Sequence, residues 1–195
     1  MTPPTVVWIR HATSIDGLER PTAHARADTP LSDRGRAETQ RASDGLVELG
    51  VGRIVSSPLP RAWETARILA DELGVPLDQP YPQLREWRAP DCVLGIAPAD
   101  YPPQYVRWRG IRSTEPDTAL PGGESLTAFA RRAAEAAELV EYMATGAQRQ
   151  VLVVAHVLLI GAVAAHAIGI REPGAVFTAA TSFTLPPAGR WQHGR

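Results

Sequence analysis

The segment from Val151 to Ile170, VLVVAHVLLIGAVAAHAIGI, constrains the fold more than any other stretch of the chain. A run this long and apolar either crosses a membrane or supplies the innermost elements of a packed core. His156 and His166 break it, and it divides naturally in two. The β-branched crowding of 151–155 predicts a strand, and 157–167 then predicts a buried helix closed by Gly169. A strand with no polar alternation is covered on both faces. Thr5 to Ile9, TVVWI, is a second run of this kind. Two such strands point to a sheet sandwiched between helices, not to a membrane span.

The intervening sequence supplies the helices. Ser32 can cap a helix that carries Leu46, Val47 and Leu49 late in its course and ends at Gly50. Residues 53–57, RIVSS, read as a short second strand. Pro58 and Pro60 then open a helix with Trp63, Ala66, Ile68, Leu69 and Leu73 on its apolar face, stopped by Gly74. Residues 75–84 read as a third strand, edge-like because Pro76, Pro80 and Pro82 interrupt it. Residues 87–120 are proline-rich and irregular, with an aromatic cluster of Tyr101, Tyr105 and Trp108. Ser125 caps a long helix running to about Gly146, and a last strand is expected near 178–185. No repeat or low-complexity tract appears. The alternation predicts one domain over 1–195, an α/β/α three-layer sandwich with a mostly parallel central sheet.

Composition narrows the partners. A net charge of −1 gives no bulk reason to expect nucleic acid or an anionic membrane. All 20 basic residues are arginine, so any anion site must be built from planar, permanently charged guanidinium groups. A single cysteine, Cys92, excludes an internal disulfide and a cysteine-cluster metal site. His24, His166 and His193 have no paired spacing and no nearby carboxylate ligand, so no metal site is expected, and no other cofactor is expected either. The N-terminus lacks a basic segment followed by an apolar one, which leads to the expectation of a cytoplasmic protein. Oligomeric state is open, a homodimer included.

In parallel sheets ligands bind beyond the carboxyl ends of the strands. Those ends here carry Arg10-His11, Ser56-Ser57 with Arg61 a few residues on, Leu84-Arg85-Glu86, and Ala155-His156. Brought together they give two histidines, two arginines and a carboxylate. Arginine forks hold phosphate oxygens. A neutral histidine can attack phosphorus while a second donates to the phosphoryl oxygens, and a protonated carboxyl can serve the leaving oxygen. Phosphoryl transfer needs mostly positioning and charge neutralisation, which such a cluster supplies without a metal.

RHATS at 10–14, SSPLPRAWETA at 56–66, LRE at 84–86, PGGES at 121–125 and VVAH at 153–156 resemble, in order, the histidine phosphatase superfamily. The resemblance implies a phosphoglycerate mutase-like fold. It implies that His11 is the nucleophile, that Arg10, Arg61 and His156 bind the phosphoryl group, and that Glu86 is the general acid and base. Gly122, Gly123 and Glu124 would shape the edge of the site, and 87–120 would be a substrate-capping insertion. The expected activity is hydrolysis of a small phosphate monoester through a phosphohistidine. A phosphoglycerate mutase-type phosphomutase and a non-catalytic phosphate-binding protein of the same fold are the alternatives. Ala12, Thr13, Gly17 and Val157 depart from residues common in the family: Ala12 and Val157 change backbone freedom and space beside the two histidines, and Thr13 and Gly17 bear on substrate recognition more than on phosphate binding.

Singly, each of these residues has a plainer explanation: a surfacing strand end for Arg10 and His11, a core histidine for His156, solvated charges for Arg61 and Glu86. Convergence overrides those explanations. His24 is expected to be a solvated loop residue, His166 structural and His193 exposed in the tail. Tyr101, Tyr105 and Trp108, with Arg88, Arg107, Arg109 and Arg112, could cap the substrate or simply cover the core.

Overall fold

The computed structural model describes residues 6–192. Its centre is a four-stranded sheet in the order β2-β3-β1-β4. Strands β1 (Val6–Arg10), β2 (Val51–Ser56) and β3 (Gln150–Ala155) are parallel to one another, and β4 (Arg190–Gln192) lies antiparallel on β1. Alternation along the strands assigns side chains to two cores. Val7, Ile9, Ile54, Leu152 and Val154 face one side, where they meet Leu46 of α2 (Asp33–Val47) and Ala62, Ala66 and Leu69 of α3 (Pro60–Leu73). Trp8, Val55, Val151, Val153 and Ala155 face the other. There they pack with α5 (Leu126–Ala144), α6 (Val157–Ala167) and α7 (Pro173–Ser182). The three layers are those expected.

The caps follow the sequence. Ser32 Oγ accepts from the Gly35 N–H, and Ser125 Oγ accepts from the Ala128 N–H. Gly74 ends α3 in the left-handed region, φ 61°, where a Cβ would be strained. The apolar run at 151–170 is divided between β3 and α6. Among the described residues no helix is long and apolar enough to cross a membrane.

Three expectations are corrected. Residues 75–84 do not form a strand of the sheet. They make a single bridge, Leu77 to Ile54, and end in a short 3-10 turn over Pro82–Leu84. Pro76, Pro80 and Pro82 each lack the N–H that a ladder needs. Glu86 therefore does not stand at a strand end. Residues 178–185 are not the last strand, because 173–182 is the helix α7. Its N-terminus is fixed by Pro173 in the first turn and by Glu172, whose carboxylate accepts from the Gly174 and Ala175 N–H groups. Packing against α5 and α6 overrides the β-propensity of its threonines. Finally, 87–120 is not wholly irregular, since it contains α4 (Pro103–Ile111).

Candidate active site

Register brings the two histidines together. Arg10 pairs with Ala155 across β1 and β3, so His11 and His156 leave the sheet side by side. The His11 N–H donates to the Ala155 carbonyl (2.9 Å), and the Ser57 N–H donates to the Val154 carbonyl (3.0 Å). The imidazole centroids lie 5.0 Å apart, close to the spacing of neighbouring strands, about 4.8 Å.

Each ring is held through one nitrogen. His11 Nδ1 is 2.7 Å from the Ala12 carbonyl oxygen. A carbonyl can only accept, so Nδ1 carries the proton and Nε2 keeps its lone pair. Arg61 Nε donates to that Nε2 at 3.3 Å. Burial first, and the Arg61 cation second, hold the His11 pKa well below that of an ordinary histidine. The ring is thus a neutral base with Nε2 available. His156 is fully buried, and its Nε2 lies 2.8 Å from Ser57 Oγ. Among the described residues its Nδ1 has no hydrogen-bond partner. Burial and the same Arg61 depress its pKa.

Arg61, in the first turn of α3, is 3% exposed. Its second donor reaches the Arg26 carbonyl (3.1 Å), which ties it to the loop after β1. Arg10 is half-buried. One of its terminal nitrogens donates to the Leu185 carbonyl (2.7 Å), while its buried Nε has no partner among the described residues. Burial lowers the pKa of both guanidinium groups. Two desolvated cations, one with an orphan donor, favour a bound anion.

Glu86 reaches the same place by another route. It lies on the coil after the 3-10 turn, and its carboxyl is turned onto the N-terminus of α6. The Trp87 and Leu159 N–H groups donate to Oε1 (2.9 and 3.1 Å) and the Leu158 N–H donates to Oε2 (3.2 Å). Those bonds and the Arg61 charge favour the carboxylate, but burial outweighs them and raises the pKa. A carboxyl poised in this way can both give and take a proton.

Arg10, His11, Arg61 and Glu86 line one cavity of about 360 Å3. His156 is not on its wall but is packed beside His11. The five residues singled out in the sequence are therefore brought together. The cavity wall also includes Arg85, Arg88 and Asp91, so that four arginines face two carboxylates. Among the described residues no group of three or more His, Cys, Asp or Glu is placed to hold a metal ion.

Neighbouring helices clamp the turn that carries His11. The Ala12 N–H donates to Thr65 Oγ1 of α3 (3.2 Å), and the Thr13 N–H donates to Glu38 of α2 (3.0 Å). Ser32 Oγ donates to the Thr13 carbonyl (2.8 Å). Any side chain at Gly35 would strike that carbonyl, because a Cβ there would lie 2.1 Å from it. Of the four departures from the family pattern, Gly17 and Val157 line the cavity, whereas Ala12 and Thr13 lie in the buried turn.

His24 is not the solvated residue expected. It lines the cavity and packs against Trp87 (5.5 Å) and Tyr101 (6.2 Å), and burial pushes its pKa down to about 4. His166 is half-buried in the last turn of α6, and His193 lies outside the described residues. Tyr105 and Trp108 are core residues. Arg112 stacks over Trp87, Trp108 and Phe177, whereas Arg107 and Arg109 are exposed. The part of 87–120 that reaches the cavity is Trp87–Leu94. Gly122, Gly123 and Glu124 stand one layer back from it. Sequence reasoning passed over Ser57 as a site residue, although its place one residue beyond β2 was a usable signal.

Comparisons with known proteins agree with this geometry. The pattern of the histidine phosphatase superfamily (branch 1) matches residues 6–182. A probable phosphoglycerate mutase GpmB of Yersinia pestis (strain Pestoides F) is 28% identical over 168 residues, covering 85% of this chain and 75% of that protein. The mycobacterial glucosyl-3-phosphoglycerate phosphatase, solved with VO3, superposes with a TM-score of 0.74 at 30% identity, covering 97% of this chain and 90% of that one. The alpha-ribazole phosphatase of Shigella flexneri shares the fold, with a TM-score of 0.75 at 22% identity over 95% of this chain and 87% of its own. With the family pattern running from β1 to the end of α7, and its residues converging on one cavity, the chain belongs to the histidine phosphatase superfamily.

Proposed function

We propose that the protein is a metal-independent phosphomonoesterase that works through a phosphohistidine on His11. The His11 Nε2 lone pair attacks phosphorus, and the P–O ester bond breaks. The leaving oxygen takes that electron pair and a proton from Glu86. Arg10 and Arg61 neutralise the phosphoryl oxygens, which replace His11 Nε2 as the acceptor of Arg61. The Ser57 hydroxyl donates to His156 Nε2, so that His156 Nδ1–H is free to donate to a phosphoryl oxygen. Glu86, now a carboxylate, takes a proton from water. The resulting hydroxide attacks phosphorus, the P–N bond breaks, and its pair returns to Nε2. Inorganic phosphate leaves, and Glu86 is again protonated.

The observation that carries this mechanism is the 2.7 Å contact of His11 Nδ1 with the Ala12 carbonyl. It supports Nε2 as the nucleophilic nitrogen. Two permanent cations beside that nitrogen supply the charge neutralisation that a metal gives elsewhere. The relative solved with VO3 is itself named as a phosphatase, which supports hydrolysis.

A second reading, phosphoryl return to substrate, is favoured by the mutase name of the Yersinia relative. A panel of phosphate esters assayed in chelator, with His11→Ala alongside, tests the proposal. Phosphate release by the wild type and none by the variant is expected. Undiminished release by the variant would overturn the mechanism. With 3-phosphoglycerate as substrate, isomer in place of free phosphate would assign the mutase.

A further inference from the structure

Glu86 is the one member of the cluster whose backbone neither ends a strand nor lies in a helix, and something must fix that backbone. Arg132, on α5, does so. The Arg132 side chain is 17% exposed and that of Glu124 13%. Arg132 Nε and one terminal nitrogen donate to the two Glu124 carboxylate oxygens at 2.9 and 2.7 Å, a bidentate pair. The other terminal nitrogen donates to the carbonyls of Gln83 (3.0 Å) and Arg85 (2.6 Å). The fifth bond runs to the Glu86 carbonyl (3.3 Å). A guanidinium has five N–H donors, and every one is used.

Glu124 completes the clamp. Its carboxylate accepts from the Arg88 N–H (3.2 Å), its carbonyl accepts from Trp87 Nε1 (2.9 Å), and its N–H donates to the Arg88 carbonyl (2.8 Å). Residues 83, 85, 86, 87 and 88 are thus held by this one pair. The guanidinium also lies over the Phe129 ring at 5.4 Å, which fixes its plane. Neither Arg132 nor Glu124 lines the cavity. Their order is spent entirely on the segment that carries the carboxyl.

We infer that Arg132, locked by Glu124, is a positioning residue that sets the Glu86 carboxyl for proton transfer to the leaving oxygen. This rests on the phosphohistidine mechanism above. Lysine could not substitute, because its ammonium has three donors and no fork.

The test exploits leaving-group chemistry. An alkyl phosphate needs a proton on its departing oxygen, whereas p-nitrophenyl phosphate does not. Rapid-quench rates of phosphoenzyme formation would be measured with both esters for the wild type, Arg132→Lys and Glu124→Gln, with Glu86→Gln as reference. Misplacing a catalytic group by about 1 Å costs on the order of 100-fold. We expect Arg132→Lys and Glu124→Gln to lose roughly 10- to 100-fold with the alkyl ester and less than about threefold with p-nitrophenyl phosphate. Adding Arg132→Lys to Glu86→Gln should cost little more. Equal losses with both esters, no loss with either, or loss of cooperative melting in both single variants would overturn the inference. A wild type that forms phosphoenzyme while the variants lack leaving-group dependence would refute this inference alone. A wild type that forms none would refute the mechanism and the inference with it.

Discussion

The two halves of the site are held in different ways. His11, Ser57 and His156 sit one residue beyond paired strands, and backbone bonds of 2.9–3.0 Å from the sheet fix His11 and Ser57 directly. Glu86 sits on coil and the Trp87–Leu94 wall on coil with a 3-10 turn over Asp91–Val93, both held by groups from remote parts of the chain. Arg132 spans 46 positions to Glu86, and Glu124 spans 36 to Arg88. The sheet half is fixed by strand pairing and backbone bonds. The coil half depends on individual hydrogen bonds, and single substitutions can move it. In the proposed mechanism, chemistry at phosphorus thus rests on the sheet half, and proton delivery and leaving-group fit rest on the other.

This contrast can be broken from either side. His11→Ala removes the nucleophile from the rigid half and should lower kcat/KM by on the order of 10^4-fold or more with every ester. A steady-state assay with two unrelated esters checks this, and selective loss would mean that the halves are not separable. Glu86→Gln should be selective, with a loss of about 10^2- to 10^4-fold for alkyl phosphates and much less for p-nitrophenyl phosphate. Ser57→Ala leaves His156 Nε2 buried without its partner, which costs about 1–3 kcal/mol of stability. We expect a lower Tm in calorimetry and roughly tenfold slower turnover, reflecting the lost tautomer control.

The pH profile sharpens the contrast further. The depressed His11 pKa keeps Nε2 unprotonated to acid pH, so the acid limb of kcat/KM should fall below pH ~6.5, the value of a free histidine. The raised Glu86 pKa keeps the acid form present above the usual carboxylate range. For alkyl esters the basic limb should therefore lie above about pH 4.5 and vanish in Glu86→Gln.

The smallest effect belongs to His24. It stays neutral in the folded state down to about pH 4, whereas the unfolded chain protonates it near the ordinary histidine value. The unfolded state therefore binds more protons between those values, and stability falls as pH drops through that window. His11 and His156 act in the same direction. His24→Asn should flatten, but not abolish, the decline of Tm between pH 7 and pH 4.

Legibility in the sequence followed the same division. The parallel strands, the caps at Ser32 and Ser125, and the strand-end residues Arg10, His11 and His156 were readable, because they obey local periodicity and one topological rule. Glu86 was found for a partly wrong reason. Residues 75–84 read as a strand, but their prolines break the ladder and leave one bridge to β2. The strand expected near 178–185 is helical because α5 and α6 pack on it, which no local window reports. His24 looked solvated because the Trp87 and Tyr101 rings that bury it come from far along the chain. Arg132 is unreadable for the same reason, since apart from Glu124 its partners are the backbone carbonyls of residues 83, 85 and 86, which have no side-chain signature.

The most direct test of the central claim is the site of phosphorylation on the protein itself. Brief exposure to a phosphate ester, quenching in base and phosphorus NMR of the trapped protein would identify the modified nitrogen. The Ala12 carbonyl holds the proton on Nδ1, so the phosphorus should be found on Nε2 of His11 and absent from His11→Ala. Phosphorus on Nδ1, or on any other residue, would contradict the account.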